Sequence, residues 1–309
     1  MDRILVTPRS LTASPHAAVE RLRDHGFDVV YSTPGIQPDE AELVRLVPGV
    51  VGWLAGVEPV SEAVIAAADR LRAVSRNGVG VDNLPGPALA ERGIAVRTAD
   101  GANAAGVTEL TIGLIFAALR HIPAADAGIK AGQWPRWRGL ELRGRRVGVV
   151  GCGAIGRDVA RLLAALGATI MAFDPVRPVL DVPAERLRWV DLQTLFAEAE
   201  IITLHCPPPR DNRLLIGATE LATFRTGSIL INTARANLVD EVALVEAMDA
   251  GRLATYATDV FAQEPPRSLA LAGHRNVIAT SHIGGFTEES VDRATQIAVD
   301  NLLQALSRA

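Results

Sequence analysis

The chain has 309 residues, of which 49% are hydrophobic and 21% charged, and its formal net charge is −4. That length accommodates about two domains, each able to bury a core, and the apolar content excludes a disordered chain. The slight acid surplus leaves no broad basic field of the kind that nucleic acid or anionic lipid condenses onto, so neither is an expected partner.

From the N-terminus, short apolar runs at Ile4–Thr7, Asp28–Tyr31, Gly49–Leu54, Leu71–Ser75 and Ile94–Arg97 read as buried strands. Amphipathic stretches such as Pro15–His25 and Ser61–Asp69 separate them, a β-α rhythm that predicts a parallel sheet covered on both faces. Ala104–Arg120 is apolar nearly all round and predicts a buried helix. Gly128–Arg146, with Trp134, Pro135, Trp137 and several arginines, breaks the rhythm and reads as an exposed connection or a subunit contact. A second β-α series starts at Val147. Its strands are expected at Val147–Val150, Thr169–Phe173, Ile201–His205, Ser228–Asn232, Ala254–Thr258 and Val277–Thr280. Its helices are expected at Ile155–Leu166, Leu192–Ala197, Glu241–Ala250 and Glu288–Ser307. The expectation is an α/β protein of two parallel-sheet domains.

Several chemistries drop out at once. Of the 31 basic residues one is lysine, Lys130, in the polar stretch 128–132, a poor place for Schiff-base chemistry. No Gly-Lys-Ser/Thr triplet supplies a Walker-type phosphate loop. Two cysteines, Cys152 and Cys206, make neither a disulfide framework nor a zinc cluster and suit a reducing compartment, so no metal is expected. The N-terminus does not read as a secretion signal, and no uncharged apolar run approaches the ~20 residues that cross a bilayer. A cytoplasmic location is the expectation.

The sharpest signal is Val147-Gly148-Val149-Val150-Gly151-Cys152-Gly153-Ala154-Ile155-Gly156, a strand that runs into Gly-x-Gly-x-x-Gly and then a helical stretch. In such a dinucleotide fingerprint Gly151 permits the tight turn, Gly153 lets backbone approach a pyrophosphate, and Gly156 lets helix and strand pack closely. The helix N-terminus offers N–H groups and the positive end of a dipole to the phosphates. Asp174 closes the next strand, 18 residues after Gly156, where a carboxylate accepts hydrogen bonds from ribose hydroxyls and repels a 2′-phosphate. NAD is therefore expected over NADP, with NADP kept as the alternative by Arg177, three residues on. Two further residues follow strands at the carboxyl edge, where parallel sheets bind ligands: Arg235, a cation that keeps its charge, and His282, a residue type whose ordinary range suits proton transfer near neutrality.

Taken in order, the blocks resemble the D-2-hydroxyacid dehydrogenases, above all their phosphoglycerate dehydrogenase branch. They are Asn77-Gly78-Val79-Gly80-Val81-Asp82-Asn83, Val107-Thr108-Glu109-Leu110, the glycine motif, Phe173-Asp174-Pro175 and His205-Cys206-Pro207. Asn232-Thr233-Ala234-Arg235 with Val239-Asp240-Glu241, Asp259-Val260-Phe261 with Glu264-Pro265-Pro266, and Ser281-His282-Ile283-Gly284-Gly285 complete the set. The resemblance implies a flavodoxin-like substrate domain, residues 1–99 with 286–309, and a Rossmann NAD-binding domain, residues 100–285, with the active site in the cleft between and the C-terminal segment crossing back. It implies a homodimer that transfers hydride between NAD(H) and a small 2-hydroxy or 2-oxo acid. Arg235, Glu264 and His282 take the catalytic roles, Glu264 holding the imidazole. Gly151, Gly153, Ala154, Ile155, Gly156, Asp174, Cys206, Thr233, Ala234, Asp259 and Gly284 take the cofactor, with Asp259 toward the nicotinamide carboxamide. Backbone N–H groups of Asn77, Gly78, Val79 and Gly80 clasp the substrate carboxylate.

The chain departs from the pattern at Gly52–Val57, where phosphoglycerate-specific members carry a basic residue, and no Lys or Arg lies between Arg45 and Arg70. Glyoxylate or hydroxypyruvate is thus at least as well matched as 3-phosphoglycerate, unless Arg76, or Arg136 and Arg138 of a second subunit, replace the missing cation. Ala236 and Asn237 stand where glycines are usual, and the regulatory domain that some members append is not expected. A non-catalytic, NAD-responsive protein of the corepressor type is the alternative from another class. A formate- or phosphite-type dehydrogenase fits less well, because Glu264 is intact.

Overall fold

The computed structural model describes residues 1–14, 16–209, 211 and 213–307. The chain divides into two compact units, Met1–Asn103 with Phe286–Ala309, and Ala104–Gly285.

The first unit is built on β1 (Arg3–Val6), β2 (Asp28–Tyr31), β3 (Val50–Ala55), β4 (Ala73–Arg76) and β5 (Ala95–Arg97). They pair in parallel in the order β2-β1-β3-β4-β5, the flavodoxin-like arrangement. Alternation along β1 sends Ile4 and Val6 into one core layer and Leu5 into the other, so both faces are covered. The layer with Ile4 is closed by the C-terminal helix Glu288–Ser307 through Ala298, Val299, Leu302 and Leu306. Gly52 makes that seat possible: a Cβ there would stand 2.9 Å from Leu306 Cδ1 and 3.2 Å from Leu302 Cδ1.

The second unit contains β6 (Arg146–Val150), β7 (Thr169–Phe173), β8 (Leu187–Trp189), β9 (Ile201–Leu204), β10 (Ser228–Asn232), β11 (Leu253–Thr258) and β12 (Val277–Ala279). Their order is β12-β11-β10-β9-β6-β7-β8, all parallel, the Rossmann order extended by one strand. Val147 and Val149 of β6 enter the layer formed with helix Ala104–Arg120 and helix Ala154–Ala165, while Val150 enters the opposite layer. Gly148 lies against the helix Leu192–Glu198, where a Cβ would stand 2.4 Å from Leu195 Cδ2.

Element by element, the structure corrects the sequence reading where segments are short. Helices Arg9–Ala13, Glu40–Leu46, Gly86–Glu91 and Ala218–Thr223, and the three-residue β8, are too brief for periodicity to announce. The stretch read as irregular from Gly128 begins inside a helix, Ile122–Lys130, whose apolar face is sparse; regular structure then stops until Arg146. The helix expected from Pro15 runs Ala17–Asp24, capped by His16 Nδ1, which accepts the Ala18 N–H at 3.1 Å; Pro15 lies outside the described residues.

One buried charge stands out in the first unit. Glu58, 1% exposed, follows β3, and burial pushes its carboxyl above the ordinary value of 4.5. A raised folded-state value means that ionised Glu58 opposes folding, so its favourable contribution is present below pH 4.5 and lost as pH rises. Glu58→Gln should therefore raise the melting temperature at pH 8, and thermal scans should show the gain vanish as pH approaches 4.5.

Candidate active site

Six of the seven parallel strands of the second sheet, all but β8, hand over at the carboxyl edge to a loop bearing one of the expected residues. Strand registers align Asn232 with Thr258 and Thr258 with Ala279, so Arg235, Asp259 and His282 follow three adjacent strands at one edge. Registers of β9, β6 and β7 continue the row through Cys206, Gly151 and Asp174.

His282 Nδ1 lies 2.7 Å from Glu264 Oε2, with both side chains partly open to solvent, at 52% and 38%. The other carboxylate oxygen of Glu264 accepts the Phe261 N–H at 3.1 Å, which fixes the carboxylate that orients the ring. His282 adopts a left-handed backbone, φ 56°, held from the side by Asp259. Asp259 is buried; Oδ1 accepts the Thr280 hydroxyl at 2.6 Å and the Ile283 N–H at 2.9 Å, and Oδ2 accepts the Gly284 N–H at 2.8 Å. A Cβ at Gly284 would stand 3.0 Å from that Oδ2. Asp259 thus clamps the segment on both sides of His282, a role the sequence reading, which assigned it to the nicotinamide, did not contain.

Arg235 leaves β10 through a turn shaped by Asn232. Fully buried, Asn232 accepts the Ala234 N–H at 3.1 Å through Oδ1; its Nδ2 donates to Arg235 O at 2.9 Å and to the Tyr256 hydroxyl at 3.2 Å. The turn therefore survives Ala236 and Asn237, which open a short 3-10 segment. Thr233 and Thr111 hydroxyls lie 2.9 Å apart, tying the turn to helix Ala104–Arg120. Asn232, Thr111 and Thr280 were not singled out from sequence; for Asn232 and Thr280 the available signal was a polar residue at the end of an apolar strand, and Thr111, inside helix Ala104–Arg120, carried none.

The glycine motif separates into three physical demands. Gly151 has φ 89°, and a Cβ there would meet the backbone of His205 and Cys206 at 2.7 Å. Gly156 is tighter, since its Cβ would fall 1.9 Å from Gly151 O. Gly153 is different: nothing lies within 4 Å of a Cβ built there, and its φ of −69° suits any residue. Protein packing makes no demand for glycine at that position, whereas a phosphate against the backbone does. Helix Ala154–Ala165 starts there without a side-chain cap, leaving first-turn N–H groups facing the same space. Asp174 accepts the Cys152 N–H at 2.8 Å on Oδ2 and the Val176 N–H at 2.8 Å on Oδ1, so its carboxylate is fixed beside the loop with lone pairs remaining. These residues fit a dinucleotide. Burial pushes the Cys152 thiol up to about 12 and that of Cys206 up to about 11, so neither serves as a nucleophile near neutrality. Asn77, Gly78, Val79 and Gly80, expected from the resemblance to clasp the substrate, follow β4 in the first unit, with Gly78 at φ 155° and its carbonyl accepting the Ala99 N–H at 2.9 Å.

A doubly wound parallel sheet with this glycine turn at its carboxyl edge defines a dinucleotide-binding Rossmann domain. Residues 112–284 match the NAD binding domain model of the D-isomer specific 2-hydroxyacid dehydrogenases, and the chain belongs to that family. It is 39% identical over 250 residues to a Methanocaldococcus jannaschii D-3-phosphoglycerate dehydrogenase, covering 80% of this chain and 48% of that one. It is 36% identical over 274 residues to a Thermotoga maritima hydroxypyruvate reductase, covering 87% of this chain and 89% of that one. The chain thus spans about half the length of the phosphoglycerate dehydrogenases it matches. Among solved structures, a Thermus thermophilus protein superposes with a TM-score of 0.88 at 33% identity, covering 99% of this chain and 97% of that one. A glyoxylate reductase from Paecilomyes thermophila does so at 0.85 and 26%, covering 99% and 96%.

The glycine geometry separates fold from ligand. Gly156→Ala should lose about 3 kcal/mol or more of stability, because backbone cannot yield to the new methyl. Gly153→Ala should melt within about 0.5 kcal/mol of the parent, yet bind NADH at least ~10-fold more weakly by fluorescence titration.

Proposed function

We propose that the chain is an NAD-dependent D-2-hydroxyacid dehydrogenase that interconverts a small 2-oxo acid and its 2-hydroxy acid. The observation that carries this reading is the 2.7 Å pair of His282 and Glu264 on the same sheet edge as Arg235 and the glycine turn. NADH, when bound, supplies the hydride that goes to the carbonyl carbon. Arg235 holds the substrate carboxylate and keto oxygen, a task suited to a planar cation that keeps its charge. With Nδ1–H donated to Glu264, the imidazolium of His282 presents Nε2–H to the oxygen that becomes the hydroxyl. Hydride plus that proton complete the 2-hydroxy acid, and the reverse direction returns the proton to neutral His282. Asp259 keeps the ring-bearing loop in register. The amide groups of Asn77–Gly80 serve as the carboxylate clasp, with support from the family pattern alone.

His282→Ala should lower turnover by about 10²-fold or more while leaving NADH affinity near that of the parent. Unchanged turnover across a panel of 2-oxo acids, followed by NADH absorbance, would remove the assigned role.

The same proposal includes a homodimer. Trp134 and Trp137 are 81% and 55% exposed in the segment after helix Ile122–Lys130, and Ile122, Ile129 and Leu140 are exposed with them. Large apolar side chains gathered in one exposed segment mark an association surface. Trp134→Asp combined with Trp137→Asp should shift the mass measured by light scattering from two chains to one; a parent that is monomeric at micromolar concentration would refute it.

A further inference from the structure

The proposed function leaves one buried group unused, and it sits where the first sheet opens. In the order β2-β1-β3-β4-β5 the direction of winding changes between β1 and β3, and in open α/β sheets a ligand crevice lies at the carboxyl ends of such a strand pair. Here Glu58 closes that gap. Its Oε1 accepts the hydroxyl of Thr7, from the end of β1, and the Gly56 N–H at 2.9 Å. Thr7 in turn accepts Trp53 Nε1–H at 2.9 Å. Gly56 is required for the fold-back, since a Cβ there would stand 2.5 Å from Glu58 Oε2 and 3.0 Å from Pro8 Cα. Asn83 Nδ2 ties the same loop by donating to Gly56 O at 3.2 Å and Glu58 O at 2.7 Å.

The cation that faces this loop, Arg76, is committed to the protein. It is 7% exposed, donates to Asn77 O at 3.1 Å, and lies beneath Gly78, where a Cβ would stand 3.2 Å from its Nη1. Its charge faces the carboxylates of Glu58 and Asp82, and its buried Nε has no partner among the described residues. The neighbouring cleft of about 590 Å³ is lined by Asp39, Glu40 and Asp82 with Gln37, Ser61 and Asn83, and, among the described residues, by no Lys or Arg. In the loops that directly follow β1 and β3, the one basic residue is Arg9, exposed at the start of helix Arg9–Ala13.

We infer that Glu58 is a specificity-determining residue that restricts the substrate to small unphosphorylated 2-oxo and 2-hydroxy acids. The inference rests on the dehydrogenase reading and deepens it. One substrate carboxylate is served by neutral N–H donors of the glycine loop. A phosphate dianion needs charge-assisted partners as well; the acidic side chains lining this cleft supply none, and the Arg76 guanidinium beside it is already faced by Glu58 and Asp82. Glu58 acts through the field and the shape of its loop, without touching the reacting atoms.

The test compares hydroxypyruvate with its 3-phosphate, which differ only in the phosphate group. The parent should favour hydroxypyruvate by at least ~100-fold in kcat/KM, and Glu58→Gln should narrow that ratio about tenfold through the KM of the phosphorylated acid alone, with kcat for hydroxypyruvate unchanged. Arg9→Gln should leave the ratio where it was. Preference of the parent for the phosphorylated acid, an unchanged ratio in a folded Glu58→Gln protein, or a selective rise in phosphorylated KM on Arg9→Gln would each overturn the inference and leave the dehydrogenase reading standing. Failure to reduce any 2-oxo acid would instead sink that reading. Ligand-induced thermal shifts, which need no turnover, should still show hydroxypyruvate stabilising the parent and its 3-phosphate stabilising only Glu58→Gln; equal shifts in the parent count against Glu58.

Discussion

Where a parallel strand ends, its last peptide groups lose their neighbours, and something other than the ladder must receive them. In this chain the receiving groups are short polar side chains set at those ends. Asn232 takes the Ala234 N–H and the Arg235 carbonyl, Asp259 takes the amides of Ile283 and Gly284, and Asp174 takes those of Cys152 and Val176. Satisfying the backbone and placing the chemistry are here one act. Each loop that carries a reactive group is bonded to the side chain that terminates a strand, so Arg235 and His282 inherit the rigidity of the sheet beneath them.

The glycines answer a second constraint, that of close approach. Gly156 sits against the Gly151 carbonyl and Gly151 against the end of β9, so that loop has almost no freedom to move outward. Gly153, the middle glycine of the motif, faces open space. Two of the three fingerprint glycines therefore build the cradle, and one keeps it clear. His205, beside them, illustrates the cost of such packing. Its Nε2 pairs with the Thr203 hydroxyl at 2.9 Å, its Nδ1 is buried without a partner among the described residues, and burial drops its pKa to about 3, so it stays neutral at any physiological pH.

Glu58 shows the same strand-end logic turned to exclusion. It ties the ends of β1 and β3 as Asp259 ties those of β11 and β12. The two carboxylates stand at different places in their sheets: Glu58 where the winding reverses between β1 and β3, Asp259 beside the edge strand β12.

Much of this was legible in the residues. Apolar runs of four to six residues, separated by amphipathic stretches, were enough for two parallel sheets, because a strand buried on both faces must be apolar throughout. The turn at Gly151–Gly156 was legible because glycine spacing is a local property. Short helices such as Glu40–Leu46 and Gly86–Glu91 were not, since one or two turns carry too little periodicity to separate from a loop. The pairing of His282 with Glu264 came from family likeness, and the clamp by Asp259 and the plug by Glu58 came from neither spacing nor likeness. Contacts between residues 18, 24 or 51 positions apart depend on which strands lie side by side, and strand order is a three-dimensional choice. Sequence by itself determined which segments must be buried and where the backbone must be glycine, because those follow from transfer of apolar side chains and from local sterics. Only the tertiary structure decided which carboxylate meets which partner, because that is set by the order in which seven parallel strands, and five, came to rest beside one another.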